Sequence, residues 1–225
     1  MDQYYSDKLS ARRLKKCYDI APPRTKQYLE AEVQHALSYV SESDSIIELG
    51  CGYGRFLKRF VGTCKQVTGI DTSLESLLMA RQIIGSKENV HLLQMNASTL
   101  AFPDNQFDVV LCVQNGISAF KLAPSDLMSE SIRVARPGGI CLFSSYSDKF
   151  WDARLEWFAL QSEEGLLGEI DWEQTKNGVI VCNDGFRATT FRHDEFSSLA
   201  NNLGVKSRIV EVDESSMFCE ILVEK

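Results

Sequence analysis

Three glycines at alternate positions stand in Glu48-Leu49-Gly50-Cys51-Gly52-Tyr53-Gly54-Arg55-Phe56, directly after a short apolar run. Glycine lets the main chain turn tightly and lets a ligand come against bare backbone. Where such a turn leads into a helix, its free amides donate to whatever sits there. Asp71 ends the next apolar run, about twenty residues further on. A carboxylate at that place accepts both hydroxyl hydrogens of a ribose. Asn96 follows the third run, in Gln94-Met95-Asn96-Ala97-Ser98, where an amide reaches an adenine edge. Taken singly, the loop is a tight turn and Asp71 a cap for the following helix. Together, at the ends of successive runs, they describe a nucleoside-binding site.

The charge around the loop selects between two kinds of nucleoside. A dinucleotide fingerprint needs a third glycine where this sequence has Arg55. Glu48, two residues before the first glycine, repels a pyrophosphate but suits the ammonium end of a methionine-derived sulfonium, held directly or through water.

The elements that must position these residues follow from the apolar pattern. Residues 45–49, 67–70, 90–95, 107–113 and 140–145 read as strands. Residues 53–61, 74–84 and 124–135 read as helices between them. The second of these is capped by Ser73 and carries Leu74, Leu77, Leu78 and Met79 at helical spacing. This alternation is that of a doubly wound α/β sheet, parallel and covered on both faces. After a helix at 193–203, two strands follow with too little chain between them for a parallel crossover, which predicts an antiparallel edge. Residues 6–40 read as two helices broken at Pro22-Pro23. Residues 146–190 form an insert that begins with an aromatic helix (Phe150, Trp151, Trp157, Phe158) and continues with short strands around Asn177-Gly178 and Asp184-Gly185.

Composition limits the rest. A chain of 225 residues, 44% hydrophobic and 24% charged, is globular and of single-domain size. Its net charge of −7 argues against non-specific nucleic-acid binding. No run is long enough to cross a bilayer and the first residues carry no apolar leader. None of the seven cysteines forms a C-x-x-C pair and several lie in apolar runs, which predicts reduced, buried thiols and a cytoplasmic location. His35, His91 and His193 do not cluster with other metal ligands, so no metal is expected; His91 reads as packed in a strand and His193 as part of a helix cap.

With these motifs in this order, residues 45–145 and the final strand pair resemble the class I S-adenosylmethionine-dependent methyltransferases. The resemblance implies a Rossmann-like seven-stranded sheet with the last strand inserted antiparallel. It implies S-adenosylmethionine as cofactor and S-adenosylhomocysteine as product. On the matching positions it assigns the cofactor to Glu48, Gly50, Cys51, Gly52 and Gly54 of the loop, to Asp71 and Thr72 in GIDTS, and to Asn96, Ala97 and Ser98. Many members carry Asp where Asn96 stands; an Asn still meets an adenine amino group through its carbonyl. Gln114, with Asn115, faces the methionine moiety and the methyl group. The implied layout is a helical cap (1–44), a cofactor-binding core (45–145), a substrate-side insert (146–192) and a last helix with the strand pair (193–225), all in one domain.

Methyl transfer from a sulfonium is an in-line displacement that needs alignment and dryness more than a dedicated base, so no catalytic residue is singled out. The segment after strand four, QNGISAF, carries neither an Asn-Pro-Pro-Tyr-like motif nor a Pro-Cys nucleophile. This turns the expectation from nucleobase methylation towards a small-molecule acceptor. Candidate acceptor contacts are Tyr4 and Tyr5 in a closing N-terminal segment, Asn115, and Tyr146 and Trp151 at the insert; Arg24 is a candidate for a carboxylate. An NAD-type oxidoreductase, a non-catalytic cofactor-binding protein and a protein or tRNA methyltransferase are the alternatives.

Overall fold

A computed structural model describes residues 9–224; Tyr4 and Tyr5 lie outside them. Seven strands form one sheet. β1 (Ser45–Leu49), β2 (Gln66–Asp71), β3 (Val90–Gln94), β4 (Phe107–Cys112) and β5 (Ala135–Tyr146) run parallel, while β8 (Arg208–Val212) and β9 (Ser216–Leu222) complete the far edge. The spatial order is β3-β2-β1-β4-β5-β9-β8, with β9 antiparallel to both its neighbours. The chain winds outwards in both directions from β1, so the β1–β4 junction is the switch point, and a crevice opens beyond their carboxyl ends.

Alternation along the strands decides what each face buries. Ile46 of β1 and Val109 and Leu111 of β4 enter one core with Phe56, Phe60 and Leu77. Ile47, Val110 and Cys112 enter the other with Phe143 and Phe196. The first core is covered by α2 (Pro23–Leu37) and α3 (Leu74–Ile84), the second by α5 (Pro124–Val134) and α7 (His193–Asn202). A third cluster lies beyond the sheet and joins α1 (Ala11–Asp19) to the insert, whose helix α6 (Trp151–Glu163) is followed by the small hairpin β6 (Ile180–Val181) and β7 (Arg187–Ala188). A short helix, α4 (Gly116–Ala119), follows β4.

Several expectations change. The helix predicted over 53–61 is a single 3-10 turn, Leu57–Phe60. Gly54 and Gly62 take positive φ at either end, and only enough chain remains to tuck Phe56, Leu57 and Phe60 into the core. β5 begins at Ala135 rather than 140, because the chain pairs with Phe107 as soon as α5 ends and absorbs Pro137-Gly138-Gly139 as a bulge. Gly139 is obligatory there, since a Cβ would lie 2.8 Å from the Asp108 carbonyl oxygen. Of the α3 stripe, Leu77 is buried but Leu74 and Leu78 are exposed; Ala80 and Ile84 complete the packed face. His91 is exposed rather than packed, because β3 is an edge strand with one open side. The cap at α7 comes from Glu195, which accepts the Arg192 amide at 2.8 Å, while His193 pairs with Asp194. All seven cysteines are buried and none is in a disulfide. Among the described residues no helix is long and apolar enough to cross a membrane.

Candidate active site

A cavity of about 560 Å³ opens beyond the ends of β1, β2, β3 and β4, within the size range of small-molecule sites. The glycine loop forms its floor. Gly50 and Gly52 adopt φ of +72° and +52°, and the Gly52 amide donates to Asp71 Oδ2 at 2.8 Å. The Ser73 amide donates to Asp71 Oδ1, also at 2.8 Å, so the carboxylate is fixed from both sides and keeps a further lone pair on each oxygen. Burial holds the Asp71 carboxyl above its ordinary range, against these amide contacts.

Glu48 lies at the back of the loop, 4% exposed, and its Oε2 has no hydrogen-bond partner. Burial pushes its pKa up to about 8; the Arg55 charge opposes this shift and Asp71 adds to it. The Arg55 guanidinium lies over the Tyr18 ring, 4.6 Å from its centroid. A buried acid with an empty acceptor atom at a cavity wall is suited to a cationic ligand group.

Of the residues singled out in the sequence, Glu48, Gly50, Gly52, Asp71, Thr72, Asn96, Ala97, Gln114, Asn115 and Tyr146 all line this one cavity. The others do not. The Cys51 amide donates to the Ile70 carbonyl, and its thiol is tucked towards Gly69. Gly54 serves packing: a Cβ there would lie 2.9 Å from Ile84 and 3.0 Å from Ala80, so its absence lets the loop seat on α3. Ser98 donates both its amide and its hydroxyl to Asn96 Oδ1, at 2.9 and 3.0 Å. That corrects the expected adenine contact: the Asn96 carbonyl is already saturated, and its Nδ2 is the group left for a ring. Trp151 lines a separate pocket of about 210 Å³ with Arg154, on the far side of Tyr146. Arg24 is tied to Asp213 at 2.6 Å and is no carboxylate receptor.

The turn after β4 is held against its own strain. Gln114 and Asn115 both take left-handed φ, +54° and +62°. The Gln114 amide sits between Glu32 Oε2 (3.1 Å) and Ser144 Oγ (2.8 Å), and the Tyr18 hydroxyl donates to Gln114 Oε1 at 3.1 Å. Glu32 is wholly buried, and burial raises its pKa to about 7. Asn115 lines the cavity, but its side chain accepts from Ser145 Oγ and donates to the Thr189 carbonyl, clamping β5 and the insert to the turn.

Trp157 and Phe158 of the aromatic helix, which the sequence offered for a pocket, also line it; the other walls were not read from sequence. Leu14, Cys17 and Tyr18 of α1 form the roof, and Phe120 lies over Gly50. Trp157, Phe158, Gln161 and Phe186 of the insert close the outer half. α1 is fastened by the Trp157 indole N–H to the Cys17 carbonyl (2.7 Å), by Arg13 to the Gly165 and Leu166 carbonyls (2.9 Å each), and by the Ala11 amide to Ser76 Oγ (3.0 Å). The signal for Gln161 was its helical spacing, one turn beyond Trp157.

A methyltransferase domain model matches residues 47–143. The methyltransferase candidate YqeM of Bacillus subtilis is 32% identical over 76% of this chain and 77% of its own length. The chain belongs to the class I S-adenosylmethionine-dependent methyltransferases. S-adenosylmethionine is accordingly its cofactor, and the glycine floor and the open Glu48 oxygen fit that group. The 2-methyl-6-phytyl-1,4-hydroquinone methyltransferase of Synechocystis is 27% identical over 72% of this chain, which spans 58% of that protein. In fold, the chain is similar to the N-methyltransferase NodS of Bradyrhizobium japonicum, solved with S-adenosylhomocysteine (TM-score 0.63, 15% identity, 99% and 98% of the two chains covered). Membership sets aside the oxidoreductase alternative.

Proposed function

We propose that this methyltransferase transfers its methyl group to a small-molecule acceptor held in the aromatic half of the cavity. The observation that carries the reading is the shared wall: Glu48 and the Gly52–Asp71 clasp face the same space as Tyr146, Trp157 and Phe158. The name of one relative supports it, since the Synechocystis enzyme is named for a hydroquinone.

The donor supplies an electrophilic methyl on a sulfonium. In this reading Asp71 accepts the ribose hydroxyls, with Thr72 beside it. Asn96 and Ala97 border the adenine, and Ser98 fixes Asn96. Gly50 and Gly52 keep the main chain bare, with Cys51 and Gly54 supporting the loop. Glu48 takes the ammonium. Gln114, oriented by Tyr18 and Glu32, faces the methyl. The roof from α1 and the aromatic insert exclude water and leave alignment as the main contribution to rate. Calorimetric titration of the full chain with S-adenosylmethionine, S-adenosylhomocysteine and NADH tests the donor site. Transfer of labelled methyl to small-molecule, protein and tRNA pools tests the acceptor class. No heat from either sulfur compound, or label passing only to macromolecules, would overturn the reading.

A further inference from the structure

The outer half of the cavity is walled by the rings of Tyr146, Trp157, Phe158 and Phe186. Into this apolar setting α6 brings one amide, Gln161. It is 97% buried by its 3% exposure, and its Nε2 has no hydrogen-bond partner. A buried N–H left without an acceptor has given up its water and gained nothing for it, so such a group on a cavity wall indicates an acceptor atom on the ligand.

Charge narrows the ligand further. Among the described residues, no Lys, Arg or His lines this cavity, whereas Glu48, Asp71 and Glu75 do. An anionic acceptor molecule would lose its hydration with no protein counter-charge on these walls. A cationic one fares no better. Its ammonium can donate to Gln161 Oε1 but leaves the Nε2 donor without an acceptor. Two of the four rings already carry a guanidinium: Arg154, which lines the neighbouring pocket, sits 4.1 Å from the Tyr146 centroid and 5.5 Å from that of Phe158.

We propose that the methyl acceptor is an uncharged ring compound whose hydroxyl or carbonyl oxygen accepts a hydrogen bond from Gln161 Nε2, and that Gln161 is the specificity-determining residue for it. The proposal rests on the reading that the aromatic half receives the acceptor.

Three para-substituted phenols of similar size separate the classes: 4-(hydroxymethyl)phenol (uncharged), 4-hydroxybenzoate (anionic) and tyramine (cationic). Each is titrated calorimetrically into the full chain saturated with S-adenosylhomocysteine. The uncharged phenol is expected to bind at least about tenfold tighter than either charged one. Gln161→Met, which keeps the volume and removes the donor, is expected to weaken it about fivefold while leaving S-adenosylhomocysteine affinity unchanged. Gln161→Glu, which replaces the donor by acceptor oxygens, should shift preference towards tyramine. Equal or absent binding of all three probes, or an unchanged Gln161→Met affinity, overturns the proposal even where S-adenosylhomocysteine binds normally. Failure of S-adenosylhomocysteine itself to bind instead overturns the functional reading on which the proposal stands.

Discussion

The two halves of the cavity are built in opposite ways. The donor half is made of strand ends: Glu48, Asp71, Asn96 and Gln114 follow or close four adjacent strands of one hydrogen-bonded sheet. Its polar groups are cross-tied, with Asp71 held by two amides and Gln114 by Glu32, Ser144 and Tyr18. The acceptor half is assembled from α1, α6 and the β6–β7 hairpin, which meet through ring contacts and a few hydrogen bonds such as Trp157 to Cys17. A sheet fixes its strand ends together, so the donor half is rigid as a unit. The acceptor half can change one wall residue without disturbing the sheet.

The largest expected effect breaks the donor half through its packing. Gly54→Val forces a β-branched residue to φ +79° against Ile84 and Ala80. It should destabilise the chain by about 2–5 kcal/mol, from left-handed strain plus overpacking. Denaturant unfolding checks this, and a near-parental midpoint would mean that the loop does not seat on α3. Next, Asp71→Ala should weaken S-adenosylhomocysteine binding by about 1–3 kcal/mol, as charged hydrogen bonds are lost. Unchanged calorimetric affinity in a folded variant would remove Asp71 from the site.

Glu48→Gln sharpens the comparison because stability and binding should move in opposite directions. Burial raises Glu48 from its ordinary 4.5 to about 8. The folded chain therefore keeps a proton that the unfolded chain releases, and stability falls as pH rises from about 4.5 towards 8. Glutamine does not ionise, so the variant should be more stable than the parent at pH 8, by up to about 5 kcal/mol. The gap should close towards pH 4.5, and donor affinity should drop. Parallel pH–melting curves for the two proteins would refute the burial argument. The smallest effect lies in the acceptor half: Trp157→Phe removes the bond to the Cys17 carbonyl and should cost about 1 kcal/mol. Donor affinity should stay within twofold by calorimetry.

The same contrast explains what the sequence could reveal. The donor half was legible because each of its residues adjoins the end of an apolar run, so position along the chain encodes position in space. The strand pair at the end was legible from the short span between Val212 and Ser216. Where local signals misled, tertiary packing had overridden them. Residues 53–61 have helical spacing but are stopped by two glycines at positive φ, and Leu74 and Leu78 continue an apolar stripe that none of the described residues covers. The acceptor half was only partly visible. Its aromatic composition stood out, yet Tyr18, Gln161 and Phe186 come from segments far apart in sequence. Only folding shows that Trp151 turns away from the cavity while Trp157 lines it.

β9 lies between β5 and β8, yet it follows every other strand in the chain. Until it is synthesised, β5 presents an open edge and Glu32 lacks its Ser216 partner. On the ribosome the glycine loop and its aspartate are therefore made well before the sheet can close. Termination before Ser216 would release a chain with its donor-binding motifs intact and the β5 edge uncovered.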